Sequence, residues 1–192
     1  MNDRLQDLRS IINLEVKGGF AKRDEIIELA LDYLLDVFDY NPDVMEIEAI
    51  RVTDELLAQH KIEQQTWLDV TDCDKLDEAF AELDRKGIVA RHNFTCCQTC
   101  GHAEIGYELD ETSQYRPVRG YVFYHQQDTE SAVMGYGLYL AYGAVNSTEI
   151  ESVEIGWEIV DTLRDAGLSV EWNGTINKRI HVDIIDWRWR RV

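Results

Sequence analysis

Proline is almost missing from this chain. Pro42 and Pro117 are the two it has in 192 residues, which argues against long linkers. Cysteine is scarce as well: four thiols are too few for a disulfide scaffold. No apolar run is long enough for a signal peptide or a membrane span, and the opening "MNDRLQDLRSIINLEVKGG" is mixed in charge. Together these absences lead to the expectation of a cytoplasmic chain, whose thiols the glutathione pool would keep reduced. There is no internal repeat, no glycine-rich phosphate loop, no G-x-S-x-G elbow and no H-E-x-x-H, so no motif names a reaction. Basic residues run short too. Nineteen Lys and Arg against 37 Asp and Glu leave a net charge of −18, beyond the roughly 2–8 units that suit a small soluble domain. Such a field repels nucleic acid and anionic membranes and attracts a basic protein partner; its plainest use is solubility.

What is present is a globular composition, 45% hydrophobic, with enough chain to bury a real core. The expected class is α+β: a helical region over residues 1–87, then a mixed sheet with interspersed helices over 88–192, forming one compact domain. In "AKRDEIIELALDYLLDVFDY" the apolar positions Ile26, Ile27, Ala30, Tyr33, Leu34, Val37 and Phe38 keep helical spacing, and "NPD" at 41–43 ends that helix. Thr53 or Asp54 suits the cap of a shorter helix through Leu57. "TDCDKLDEAFAELDRKG" carries caps at Thr71 or Asp72, a stripe of Leu76, Ala79, Phe80 and Leu83, and Gly87 as its stop. Cys73 falls in its first turn as a packing residue.

After Gly87 the period changes to two. "IVARHNF" reads as a strand over 88–94 with Ile88, Ala90, His92 and Phe94 on one face; "GYVFYH" and "GLYLAYGAV" are further strands. Thr148 and Glu151 make a capping box for a helix carrying Ile150, Val153, Trp157, Val160 and Leu163, closed by Gly167. "LSVEW" and "KRIHVDIIDW" flank Asn173-Gly174, the pair favoured in a type I′ turn, and read as a C-terminal β-hairpin.

The chemistry-bearing stretch is "NFTCCQTCGH", residues 93–102. Thr95 with Gln98 fits a capping box, which would start a helix at Cys96. At 100° per residue Cys96, Cys97, Cys100 and Glu104 then share one side, and His102 points away. Three uses of the thiols remain open. Zinc wants four ligands: Cys97 and Cys100, Cys96 as a third, and a fourth from His92, His125 or Glu104. A redox C-x-x-C at a helix start gains from the dipole, though the flanking Trp and Pro of thioredoxin-like pairs are absent. The third use is small, soft packing.

A second candidate is "YHQQDTE", with His125 at a strand end and Asp128 and Glu130 following. These three are the catalytic candidates, as an acid–base group or part of a metal site with Cys96, Cys97, Cys100 and His125. Read structurally, Asp128 caps the next helix and His125 satisfies a carbonyl. About 26 residues separate the strand at 88–94 from that at 121–125, room for a parallel crossover. Parallel neighbours would bring both helix starts to one edge, with His125 facing the thiols across roughly 10 Å or less. "DWRWRRV" at the end would form a terminal strand that pairs its arginines with acidic neighbours.

"TDCDKLDEAFAELDRKGIVARHNFTCCQTCGHAEI" and "GYVFYHQQDTESAVMGYGLYLAYG" together resemble a bacterial family described as a domain of unknown function, over residues 66–190. The resemblance implies a bacterial source and a fold, and no mechanism. Some relatives carry a Thr-x-Ser-Asp-Gly type loop in place of "CQTCG", which implies that the cysteines mark a subgroup and that zinc does not hold the common fold. The segment like "YHQQDTE" occurs in both kinds, which draws attention to His125, Gln127, Asp128 and Glu130.

Two functions follow as expectations. One is a non-enzymatic acidic interaction module of the immunity or antitoxin kind, binding a basic partner and no nucleic acid. The alternative is a zinc-binding or thiol-dependent enzyme built on Cys96, Cys97, Cys100 and His125.

Overall fold

A computed structural model describes residues 2–37, 42–146, 148–184 and 186–191. The chain divides into two compact units, Met1–Asp69 with Arg188–Val192, and Val70–Trp187. The described residues form seven helices and a five-stranded mixed sheet, the α+β class expected.

The first unit is helical: α1 (Asn2–Gly18), α2 (Arg23–Val37) and α3 (Pro42–Gln64). Each contributes an apolar stripe at three- and four-residue spacing: Leu8, Ile12 and Val16; Ile26, Ala30 and Leu34; Met45, Ala49, Val52 and Leu56. Burying each large aliphatic side chain is worth about 1.5–3 kcal/mol. Tyr33, placed on the α2 stripe from its spacing, is 57% exposed; Phe38 and Asn41, and the Val37 side chain, lie outside the described residues. Pro42 opens α3, where a missing N–H costs nothing. No helix starts at Thr53 or Asp54. α3 runs through both, and Thr53 is buried within it because its face continues the stripe.

The C-terminal tail meets this unit through backbone carbonyls and not as a strand. Residues 188–191 form no strand, and the guanidinium of Arg191 donates to the carbonyls of Glu15, Val16 and Ala21. The carbonyl end of a helix carries partial negative charge, so a cation at the end of α1 complements it. Arg190 donates to the Leu68 carbonyl at 2.6 Å and lies over the Trp67 ring.

The second unit opens with α4 (Asp72–Arg85), capped by Thr71 in a reciprocal box with Asp74. Leu76, Ala79, Phe80, Leu83 and Cys73 are buried along it, and Gly87 takes φ +85° beyond its end. Next come β1 (Ile88–Arg91), α5 (Gln98–Ser113), β2 (Gly120–Phe123), α6 (Gln126–Val133), β3 (Leu138–Ala144), α7 (Glu149–Asp165), β4 (Val170–Glu171) and β5 (Ile180–Val182). The sheet order is β1-β2-β3-β5-β4. β1 and β2 are parallel neighbours, Ile88 opposite Gly120, and the other pairs are antiparallel.

Helices α4 and α7 pack on one face of this sheet, and α5 covers β1 and β2 on the other. Ile88, Val89 and Ala90 are therefore all buried, as befits a parallel strand covered on both sides. On α7 the Thr148 cap is as expected, but the stripe is rotated. Ile155, Ile159, Val160 and Leu163 are buried, whereas Ile150 is 74% exposed and Trp157 packs against Trp172 at the surface.

β4 and β5 pair as the C-terminal hairpin, Val170 opposite Val182. The connection is not a two-residue type I′ turn. It runs from 172 to 179, because the Asn173 side chain accepts from Thr175 N–H instead of yielding a tight turn. Tyr142 Oη and the Trp172 indole then donate to the Lys178 carbonyl and hold the loop down.

Candidate functional site

Beyond Arg91 the first strand breaks off, three residues short of the expected end. His92 stays on the α4 side, stacked on Phe80 at 4.3 Å between ring centroids. Its Nδ1 lies 3.0 Å from Tyr124 Oη and its Nε2 3.3 Å from an Asp77 oxygen. Burial, helped by the adjacent Arg91 charge, pushes its pKa down to about 4, so the ring is neutral at pH 7. Asn93 then takes φ 48° and Thr95 φ 60°. Asn tolerates the left-handed region; a β-branched Thr there costs about 1–3 kcal/mol. This reversal turns Phe94 to the opposite face from His92, onto Phe123 at 5.5 Å.

Neighbours hold the strained turn in place. Phe94 N–H donates to the Tyr124 carbonyl at 2.7 Å, Gln126 N–H to the Thr95 carbonyl at 3.1 Å, and Thr129 Oγ1 to Asn93 Oδ1 at 2.7 Å. The start of α6 is thus stapled to the turn that carries the cysteines.

Helix α5 does not start at Thr95. It starts at Gln98 with Cys97 as an extended N-cap residue whose side chain makes no capping bond. Thr95, in its left-handed conformation, uses its hydroxyl to donate to the Cys97 carbonyl instead. The 100° argument for grouping the thiols therefore fails for Cys96 and Cys97, yet the turn groups them by another route. The ligand atoms of Cys96, Cys97 and Cys100 all lie within 4.8 Å of one another, and Cys96 Sγ is 3.4 Å from Cys100 Sγ. Three cysteines so placed can hold a metal ion: tetrahedral zinc with bonds near 2.3 Å puts its sulfurs about 3.8 Å apart. What lets α5 come so close to the sheet is Gly101, where a Cβ would lie 2.5 Å from a Phe123 ring carbon.

The thiols do not titrate alike. The Cys100 backbone N–H, and then its thiol, favour the Cys97 thiolate and lower that pKa. Sharing the site with Cys96 and Cys97 pushes the Cys100 thiol up to about 12. The Cys97 thiol therefore gives up its proton more easily than the Cys100 thiol beside it.

The second candidate is built on His125 and Asp128. His125, not Asp128, caps α6: its Nδ1 accepts from Asp128 N–H at 3.3 Å, and the Asp128 carboxylate accepts from His125 N–H at 3.2 Å. With Nδ1 accepting, the proton sits on Nε2, which faces Asp128 Oδ2 at 3.0 Å. Burial lowers the His125 pKa; Asp128 opposes that, and Arg179 and His102 add to it. Asp128 is buried and grips Arg179 through two bonds of 3.0 and 2.9 Å. Arg179 in turn lies over the Tyr139 ring at 5.2 Å.

The structure brings the three cysteines together, and His125 with Asp128, on the one edge where the parallel strands end. Glu130 is half-buried in α6, while Gln127 and Glu104 are exposed. His102 rests edge-on against Phe123 at 5.5 Å, and His181 tilts on Tyr139. Arg179, the partner that fixes Asp128, went unread from sequence. It lies 51 residues away, and only the register of β5 against β3 reveals it.

A parallel pair ending in two helix starts, one of them holding three thiols, runs inside a sequence match that spans almost the whole chain. The chain belongs to the family described as a domain of unknown function, DUF6891, matched over residues 1–191. No curated protein and no solved structure matches it. The DUF6891 match includes the helical first unit, beyond the stretch at 66–190 that carries the resemblance seen in the sequence. Among the described residues no helix is long and apolar enough to cross a membrane.

Proposed function

We propose that this chain is a zinc-binding member of its family, with Cys96, Cys97 and Cys100 as ligands. The observation that carries the reading is the convergence of three sulfurs within 4.8 Å at the start of α5. Three protein ligands leave the fourth position of a tetrahedron to water or to a bound molecule, the arrangement of catalytic zinc sites. His125, its pKa lowered by burial and its ring oriented by Asp128, stands at the adjoining helix start as the acid–base candidate. His102 has no part in the metal site, and Cys73 is buried in α4 away from solvent. Elemental analysis of the purified protein tests this. One zinc per chain is expected, lost in Cys97→Ser and Cys100→Ser and kept in Cys73→Ser and His102→Ala. Zinc that survives Cys97→Ser would overturn the ligand assignment.

A second reading rests on the surface. Many of the described basic side chains sit in ion pairs, among them Arg9 with Glu55, Arg23 with Asp54, Arg91 with Glu108 and Arg119 with Glu158. The remaining acidic excess suits a non-enzymatic module of the immunity or antitoxin kind that captures a basic protein. Such capture would weaken steeply as salt shortens the screening length from about 30 Å at 0.01 M to about 10 Å at 0.1 M. Binding indifferent to salt would remove this reading.

A further inference from the structure

Three sulfurs that form a group by themselves among the described residues suit a guest that needs only three bonds. We propose that Cys96, Cys97 and Cys100 also bind a trivalent thiophilic metalloid, taken up as its neutral hydroxide, arsenous acid, and held as a three-thiolate complex. The proposal rests on the reading above that the thiols act as one ligand set; it goes beyond that reading in the guest.

Coordination number comes first. Zinc seeks four ligands. Among the described residues the group of mutually close ligand atoms is the three cysteines, and the ring nitrogens of His92 and His125 are engaged with Tyr124, Asp77 and Asp128. Trivalent arsenic forms three bonds and directs a lone pair along the fourth tetrahedral axis, so it asks for no further side chain. Softness agrees, since thiolates select soft guests over hard ones.

Access and charge agree as well. Cys96 is exposed and Cys97 and Cys100 are half-exposed at a helix start, so a small neutral molecule reaches all three sulfurs without any element opening. A zinc ion on three thiolates carries one net negative charge into a chain already at −18. The arsenic complex carries none.

The step balances without a redox partner. Each thiol passes its hydrogen to one hydroxide of arsenous acid. Three As–O bonds break, three As–S bonds form and three waters leave, with arsenic trivalent throughout and sulfur unoxidised.

Intact-mass measurement on the reduced, metal-free full-length protein after exposure to sodium arsenite at neutral pH decides the matter. The expected product is a single adduct whose mass gain equals one arsenic atom less three hydrogens. Cys96→Ser should give an adduct one water heavier than that, because a hydroxide stays on arsenic when only two thiols bind. Cys73→Ser should match the unsubstituted chain. No adduct, or an adduct of the unsubstituted chain that keeps a hydroxide, would overturn the proposal. Elemental analysis of a parallel sample separates the two readings. Arsenic uptake by a chain that takes no zinc strikes only the zinc reading, and zinc uptake without an arsenic adduct strikes only this one.

Discussion

Gly101 and His92 show how single residues shape the turn that carries the thiols. A methyl group at Gly101 would meet the Phe123 ring at 2.5 Å, and Phe123 is fully buried and cannot give way cheaply. Gly101→Ala should therefore destabilise the fold by about 1–3 kcal/mol. Gly106, one turn on in the same helix, has nothing within 4 Å of such a methyl, and Gly106→Ala should stabilise by about 0.5–1 kcal/mol. Thermal unfolding of the two variants checks the pair; equal effects would contradict the packing described. His92 supplies a pH dependence. Its folded pKa is depressed to about 4 from 6.5, so between those values the unfolded chain binds more protons and stability falls as pH drops through the window. At 1.36 kcal/mol per unit the loss is on the order of 3 kcal/mol. Denaturant titrations from pH 7 to pH 4 should show a shallower slope for His92→Phe than for the unsubstituted chain. His60, His102 and His125 are shifted in the same direction and leave a residual slope.

At the scale of elements, local signals were legible where chemistry is local and failed where it is not. Thr71, Thr148, Gly87 and Gly167 announced helix ends because caps and left-handed stops depend on a few neighbouring residues. The thiol cluster was read too, but through a helix start at Thr95. The turn with φ of 60° that moves that start to Gln98 is held by a bond to the Tyr124 carbonyl and bonds from Gln126 and Thr129, which no local pattern contains. Asn173-Gly174 misled for the complementary reason: loop residues 172–179 are anchored by Tyr142 and Trp172 rather than by a tight turn. The join of α6 to β5 is likewise tertiary. Asp128, 4% exposed at its side chain, depends on Arg179, 27% exposed. Arg179→Met would leave that carboxylate buried without its cation, a loss of about 3–5 kcal/mol for a buried pair. Arg179→Lys, which keeps the charge and loses the two-pronged grip, should fall between. Chemical denaturation orders the three proteins, and an Arg179→Met chain as stable as the original would refute the role given to this pair.

Over the whole molecule, composition speaks to partners and the site speaks to chemistry. A chain at −18, with many of its described cations already in ion pairs, has little to offer a phosphate backbone, because nucleic-acid affinity comes from neutralising phosphates with Lys and Arg. No gel shift with duplex DNA or RNA is expected at physiological salt, and a shift at sub-micromolar protein would contradict this and direct attention to Arg188, Arg190 and Arg191. The fold class was legible from the change of period at Gly87, and the return of residues 188–191 to the first unit was not, since it depends on carbonyls of α1 that Arg191 finds only in the folded chain. The central claim is that the strained turn after β1 gathers three thiols for a metal. Elemental analysis of the protein and of its Cys97→Ser variant tests it most directly. One zinc per chain in the first and none in the second is the predicted result; a metal-free protein that takes up no zinc when it is offered, its three thiols reduced, would contradict it.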